Sequence, residues 1–212
     1  MELWIPVVAT LVGVVIGAGL TFLREFLTTK AKRKKDAAYL TAVVSGALDR
    51  FVAGCELVVN DDGLSQGQYD EDGTRSAQSS LPEFRPEELK VEWPSIPAEL
   101  IYRVLDLPYK REAANSYITE AGEHADPPDY ENYFDQRQYQ YAKLGLEAVN
   151  LSRDLRKHSS FPDRDRGAWD PAWYFQEVID RIDRQWKERD ERHAANPGLP
   201  GLPAAVAPDP TQ

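Results

Sequence analysis

The chain is poor in the side chains that most often carry chemistry. Cys55 is its only cysteine, so no disulfide can form within the chain, which suits a reducing compartment. Its three histidines, His124, His158 and His193, fall at the ends of three different expected helices and off their apolar faces. They therefore read as helix-end groups rather than metal ligands. The sequence has no Gly-x-Ser-x-Gly elbow, no Gly-x-x-x-x-Gly-Lys phosphate loop, no dinucleotide fingerprint and no Glu-x-x-His pair for a di-iron bundle. The cluster Asp70-Glu71-Asp72-Gly73 fails as a calcium loop. With Gly73 at the sixth position the first ligand would be Gln68, and no glutamate stands six residues beyond the glycine. No cofactor, metal or catalytic residue is expected, although an enzyme with an unrecognised carboxylate site stays open as an alternative.

Positive charge is also scarce, and it is placed unevenly. The chain holds 25 Lys and Arg against 35 Asp and Glu, a net charge of −10. Six of the basic side chains lie within residues 1–36, which leaves the remainder at −13. So acidic a body argues against a nucleic-acid partner, because phosphate binding depends on lysine and arginine. Against this background one stretch stands out. Residues 3–23 contain no charged side chain, and at ~1.5 Å per residue they reach roughly 31 Å, one hydrocarbon core. Arg24, Lys30, Lys32, Arg33, Lys34 and Lys35 follow, whereas only the amino terminus and Glu2 precede. A cleaved secretory signal would carry its basic residues on the other side and a shorter apolar run. A buried core helix would need apolar surroundings that the rest of the chain does not supply. The expectation is a single-pass transmembrane anchor over residues 1–36, amino terminus outside and the following domain cytoplasmic, in an inner or plasma membrane. Lys30, Lys32, Arg33, Lys34 and Lys35 would meet anionic lipid.

Beyond the anchor the apolar pattern becomes one-sided. Leu40, Val44, Ala47, Phe51, Cys55 and Val58 recur every three or four residues, with Asp49 and Glu56 off the stripe. No proline stands between Val7 and Val59, so anchor and amphipathic helix can form one rod. Residues 60–88 carry Asn-Asp-Asp-Gly and then Gly, Ser, Gln and Asp without period, which predicts a mobile, disordered insertion. Residues 91–94 read as extended, with Trp93 a lid on the core. Ser95 is expected to cap a helix closed by Pro108, and a second helix over 109–123 to turn Ala113, Ala114, Tyr117 and Ile118 inward. Asp126 is the expected cap of a long helix with Tyr130, Phe134, Tyr141, Leu144, Ala148, Leu151 and Leu155 on its face. Asp170-Pro171 repeats the device for a last helix built on Phe175, Ile179, Ile182 and Trp186. Residues 196–212 are a disordered tail rich in proline and alanine.

The fold expectation is all-α: one membrane helix, then a cytosolic antiparallel helical bundle of four or five helices over 37–195. Two sets of residues are candidates for association. In the anchor, Ala9, Gly13, Gly17 and Thr21 recur every four residues, a small-residue face that lets two helices pack closely as a homo-oligomer. In the bundle, Tyr133, Arg137, Tyr139, Trp173 and Tyr174 are candidates for a face that binds a protein partner, since tyrosine, tryptophan and arginine dominate binding hot spots. The function this predicts is a membrane-tethered interaction or scaffold protein. The alternative is a membrane effector, a toxin or defence component, that clusters and perturbs the bilayer.

Overall fold

A computed structural model of the chain describes residues 4–167 and 169–195, with the backbone alone for 4–23. Four α-helices make the fold: α1 (Trp4–Val59), α2 (Ala98–Glu123), α3 (Glu131–His158) and α4 (Pro171–Ala195). No strand occurs among the described residues. Of these residues no helix is long and apolar enough to cross a membrane. The run at 3–23, on which the expected anchor rests, lies outside the residues whose side chains are described, as do Ala9, Gly13, Gly17 and Thr21 and the tail at 196–212.

α1 is one uninterrupted helix of 56 residues, roughly 84 Å long at ~1.5 Å per residue. Its residues 24–35 are exposed on every side, and from Ala37 onward it enters the core. The expected stripe is buried there, apart from half-buried Ala47, and it is wider than the spacing suggested, with Leu48, Val52 and Val59 also inside. Cys55 is fully buried in this face, and burial pushes its thiol well above the ordinary range, so it is an inert apolar group.

α3 is the centre of the bundle and packs against each of the other helices. It runs antiparallel to all three. Thr41 meets Ser159, while Asp61 just past the end of α1 meets Arg137. Arg103 pairs with Asp154 and Lys110 with Glu147, both at 2.6 Å. On the α4 side Arg153 pairs with Asp170 and Arg189 with Asp135. α1 and α2 therefore run parallel to each other, which corrects the expectation of a wholly antiparallel bundle. Parallel neighbours need a connection that returns the chain along the bundle. Arg137 and Asp154, which mark its two ends, are roughly 26 Å apart along α3 at ~1.5 Å per residue.

Residues 60–97 are that crossover, and their packing corrects the disordered insertion. The segment lacks regular structure apart from two short 3-10 turns, Pro86–Glu88 and Trp93–Ser95, but it belongs to the core. Phe84 is buried against Phe51, with ring centroids 5.8 Å apart, and Ile96 is buried as well. Leu81, Leu89, Val91 and Trp93 pack on the same cluster, Trp93 covering it as expected. Gly54 faces this segment. A Cβ there would meet the Pro82 side chain at 2.5 Å, so Gly54 permits the close approach of the crossover.

Other helix ends differ from the sequence reading. α2 is a single helix that continues through Pro108, and neither Ser95 nor any other side chain caps it. An internal proline costs about 3 kcal/mol. Burial of Leu100, Val104 and Leu107 before it and Ala114, Ile118 and Ala121 after it offsets that cost. Residues 126–129 form a turn, and α3 begins at Glu131 behind Tyr130, which holds a left-handed conformation. Asp170, by contrast, accepts the Ala172 N–H at 2.9 Å, as the Asp-Pro pattern predicts.

Candidate functional site

The first site lies where α1 joins the bundle. Lys30, Arg33, Lys34, Ala37 and Ala38 share one helix face because they are spaced at three and four residues. That face forms one wall of a cleft of about 220 Å³. The opposite wall is the end of α3, His158, Ser159 and Ser160, and Ser95 completes it from the turn before α2. Arg33 donates to the Pro94 carbonyl at 3.0 Å and so fastens the cuff to that turn. Ser159 is fixed by Thr41, 2.7 Å between hydroxyls. The Ser95 hydroxyl is buried and has no hydrogen-bond partner among the described residues. Lys32 and Lys35 are exposed and take no part in the cleft. Within the basic cuff, Lys30, Arg33 and Lys34 therefore line the cleft, and Lys32 and Lys35 do not.

The aromatic face expected on α3 and α4 is not assembled. Arg137 is buried, its guanidinium donating to the Asp61 carboxylate at 3.1 Å and to the Ser79 carbonyl and hydroxyl. It is therefore no surface anchor for a partner. Tyr133 packs edge-on against Phe134 and beside Gly122. Tyr139 lies on Trp186, centroids 4.7 Å apart, and Tyr174 donates to Asn60 at 2.6 Å and stacks on Trp169. Of the five, Trp173 alone is largely exposed. Tyr141, at the core stripe, donates to Asn115, and burial pushes its hydroxyl up to about 12. The open aromatic surface is instead on α2. Tyr102 and Tyr109 are 68% and 70% exposed, and Leu105 and Tyr117 extend the same face. Ala113 and Tyr117, expected on the inner side, point outward because α3 is the only helix that α2 packs on closely.

Two buried carboxylates hold the connections in place. Asp61 accepts from the Ser79 hydroxyl and N–H at 2.7 Å each, from Gln78 N–H and Gly63 N–H, and from Arg137. Burial alone would raise its pKa, but the Ser79 and Gly63 donors and the Arg137 charge outweigh burial and hold it below the ordinary carboxylate range. Asp49, expected on the solvent side of α1, is buried. It gathers Arg156, Arg164 and Arg166 at 2.7, 3.1 and 3.0 Å and Ser152 at 3.3 Å, at the edge of a second cavity of about 260 Å³. Its oxygens are engaged by arginine donors, an arrangement that fastens α1 to residues 159–170. The acidic tip at 70–73 is likewise self-contained, because the Asp70 carboxylate accepts from the Asp72 and Thr74 N–H groups and the Thr74 hydroxyl. Among the described residues no group of three metal-ligating side chains occurs.

Comparison with known protein families, curated proteins and solved structures finds nothing that matches this chain. Three features escaped the sequence reading: the buried Asp49 and Asp61, and the tyrosines of α2. Arg137 did carry a signal, for it falls on the core stripe between Phe134 and Tyr141, where a charge requires a buried partner. The tyrosines carried none, since the exposed side of α2 depends on how many helices surround it.

Proposed function

We propose that the chain is a membrane-tethered interaction protein, whose anchor at residues 3–23 holds the bundle against the bilayer while α2 offers a face to a protein partner. The observation that carries the reading is α1. A helix that starts in an uncharged run of one bilayer's length continues unbroken into the bundle core. Phe26 and Leu27 are more than half exposed on the part that leaves the bundle, and apolar side chains there are suited to the lipid interface. The basic cuff follows directly, and by the positive-inside rule it sets the bundle on the cytoplasmic side. For the partner, Tyr102, Tyr109 and Tyr117 are large side chains more than half exposed on α2, with Leu105 partly exposed among them. Amphipathic aromatics at that density favour a protein surface that can bury their rings and leave their hydroxyls at the rim.

Alkaline carbonate extraction of membranes tests the tether: the chain stays in the pellet, and release into the supernatant overturns it. A reporter active only outside the membrane, fused after Gln212, stays silent; activity reverses the topology. For the partner face, a photo-crosslinker at Tyr102 or Tyr109 in native membranes gives one discrete adduct, and at Gln176 on α4 gives none. Equal labelling at all three positions removes α2 as the binding face. An adduct of twice the chain's mass makes the partner a second copy.

A further inference from the structure

We propose that the cleft between the cuff of α1 and the end of α3 binds a phosphate group, and that Lys30, Arg33 and Lys34 form a defined site rather than a diffuse basic collar. Three cations converge on one space of about 220 Å³, with His158 opposite and no carboxylate among the residues that line it. Paired with one carboxylate ligand, two of these cations would remain uncompensated. A phosphate presents up to two charges and several acceptor oxygens, which fits a mixture of ammonium, guanidinium and hydroxyl donors. Arg33 spends one nitrogen on Pro94 and keeps its other donors. The Ser95 hydroxyl, buried beside the cleft with no partner among the described residues, is a donor in need of an acceptor.

The end of a helix carries partial negative charge, which would repel an anion. At α3 three of the last four carbonyls are already engaged. The carbonyls of Leu155, Arg156 and Lys157 accept from the N–H groups of Ser159, Phe161 and Ser160. What faces the cleft is then the hydroxyls and His158.

Two sources could supply the phosphate, a lipid headgroup or a soluble phosphate. The headgroup form rests on the tether proposed above. Lys30 and Lys34 stand roughly 5 and 10 Å beyond exposed Leu27 along the helix, on the side away from the uncharged run, where long basic side chains can reach back to headgroup phosphates.

The test uses the full chain in detergent, titrated with short-chain phosphatidic acid and read by native mass spectrometry, with inorganic phosphate titrated separately by calorimetry. Two paired variants each remove two charges from the same helix, Arg33→Gln with Lys34→Gln in the cleft, and Lys32→Gln with Lys35→Gln outside it. All four side chains are exposed, so both variants fold, which circular dichroism checks. The cleft pair weakens saturable binding at least about tenfold and the outer pair less than about threefold, because only the first removes direct ligands. Dependence seen with phosphatidic acid alone assigns a headgroup, and dependence seen also with inorganic phosphate assigns a soluble ion. Equal losses from both pairs, or no saturable binding of either probe, overturn the site. Carbonate extraction is read on the same preparations. A chain that stays in the pellet but binds neither probe has lost the cleft and kept the tether. A released chain that still binds inorganic phosphate through Arg33 and Lys34 has lost the tether and kept the cleft.

Discussion

The two irregular connections are fixed by the same chemistry at very different depths. Residues 60–97, which bring the chain back along the bundle between parallel α1 and α2, are pinned by Asp61 and Arg137, whose side chains are 2% and 3% exposed. Residues 159–170, a local turn between antiparallel α3 and α4, are pinned by Asp49, itself buried but met by Arg164 at 59% exposure. A long crossover has more conformations to lose than a short turn, and its ends lie far apart. It is held by a buried knot in which the Asp61 carboxylate accepts from Gly63, Gln78, Ser79 and Arg137 together. The short turn is already placed by the two helices it joins, and a network open to water is enough for it.

That contrast can be broken first at its buried end. Asp61→Ala leaves Arg137 as an uncompensated buried charge and should cost about 3–5 kcal/mol in urea unfolding of the full chain. A cost under about 1 kcal/mol would place the crossover outside the cooperative fold. The same carboxylate makes the fold acid-sensitive. Its folded pKa is depressed below the ordinary 3.8, so its contribution is complete above that value and is lost as pH falls through the folded pKa. Asp61→Asn should flatten the decline of stability below about pH 4 relative to the parent.

Gly63→Ala attacks the same knot through the backbone. Gly63 has φ +79°, and a Cβ there would collide with the Phe134 ring. Left-handed strain and overpacking together should cost about 2–4 kcal/mol, read from the same urea curves. At the open network the effects are smaller. Asp49→Ala should cost about 1–3 kcal/mol, because the arginines it releases can turn toward water. Arg164→Ala, at the most exposed position, should cost less than about 1 kcal/mol and lose even that in high salt. A larger loss from Arg164 than from Asp61 would reverse the comparison.

The same contrast explains what could be read in the sequence. The inner faces of α1, α3 and α4 were legible because a helix packed on a core must place apolar side chains every three or four residues, whatever it packs against. The Asp170 cap was legible because it is local. The crossover was not, since Gly, Ser, Gln and Asp look alike whether solvated or knotted around a buried carboxylate. What distinguishes them is Arg137, 76 residues from Asp61 in sequence. Pro108 failed as a stop for a similar reason: its local cost is outweighed by packing on both sides, and packing is non-local. Of the candidate residues, the cuff is legible as a run of basic side chains, but which of them, Lys30, Arg33 and Lys34, line the cleft depends on where α3 ends. The proposed partner face had no local mark, because tyrosines turned outward from α2 differ from buried ones only in what lies opposite them.

The unbroken α1 also has a consequence for direction. A helix without a hinge transmits azimuth as well as distance, since each residue adds about 100° of turn and about 1.5 Å of rise. One residue inserted between 24 and 29, before the cleft, would swing the bundle by about 100° around the helix axis relative to everything before it. The α2 tyrosines would then face a different quarter of the surroundings, and the cleft would turn away from the direction in which Phe26 and Leu27 now point. Seven inserted residues would lift the bundle by about 10 Å yet nearly restore its heading, since seven residues fall only about 20° short of two full turns. Height and heading are thus separately adjustable in this molecule, with the exposed stretch serving as the dial for both.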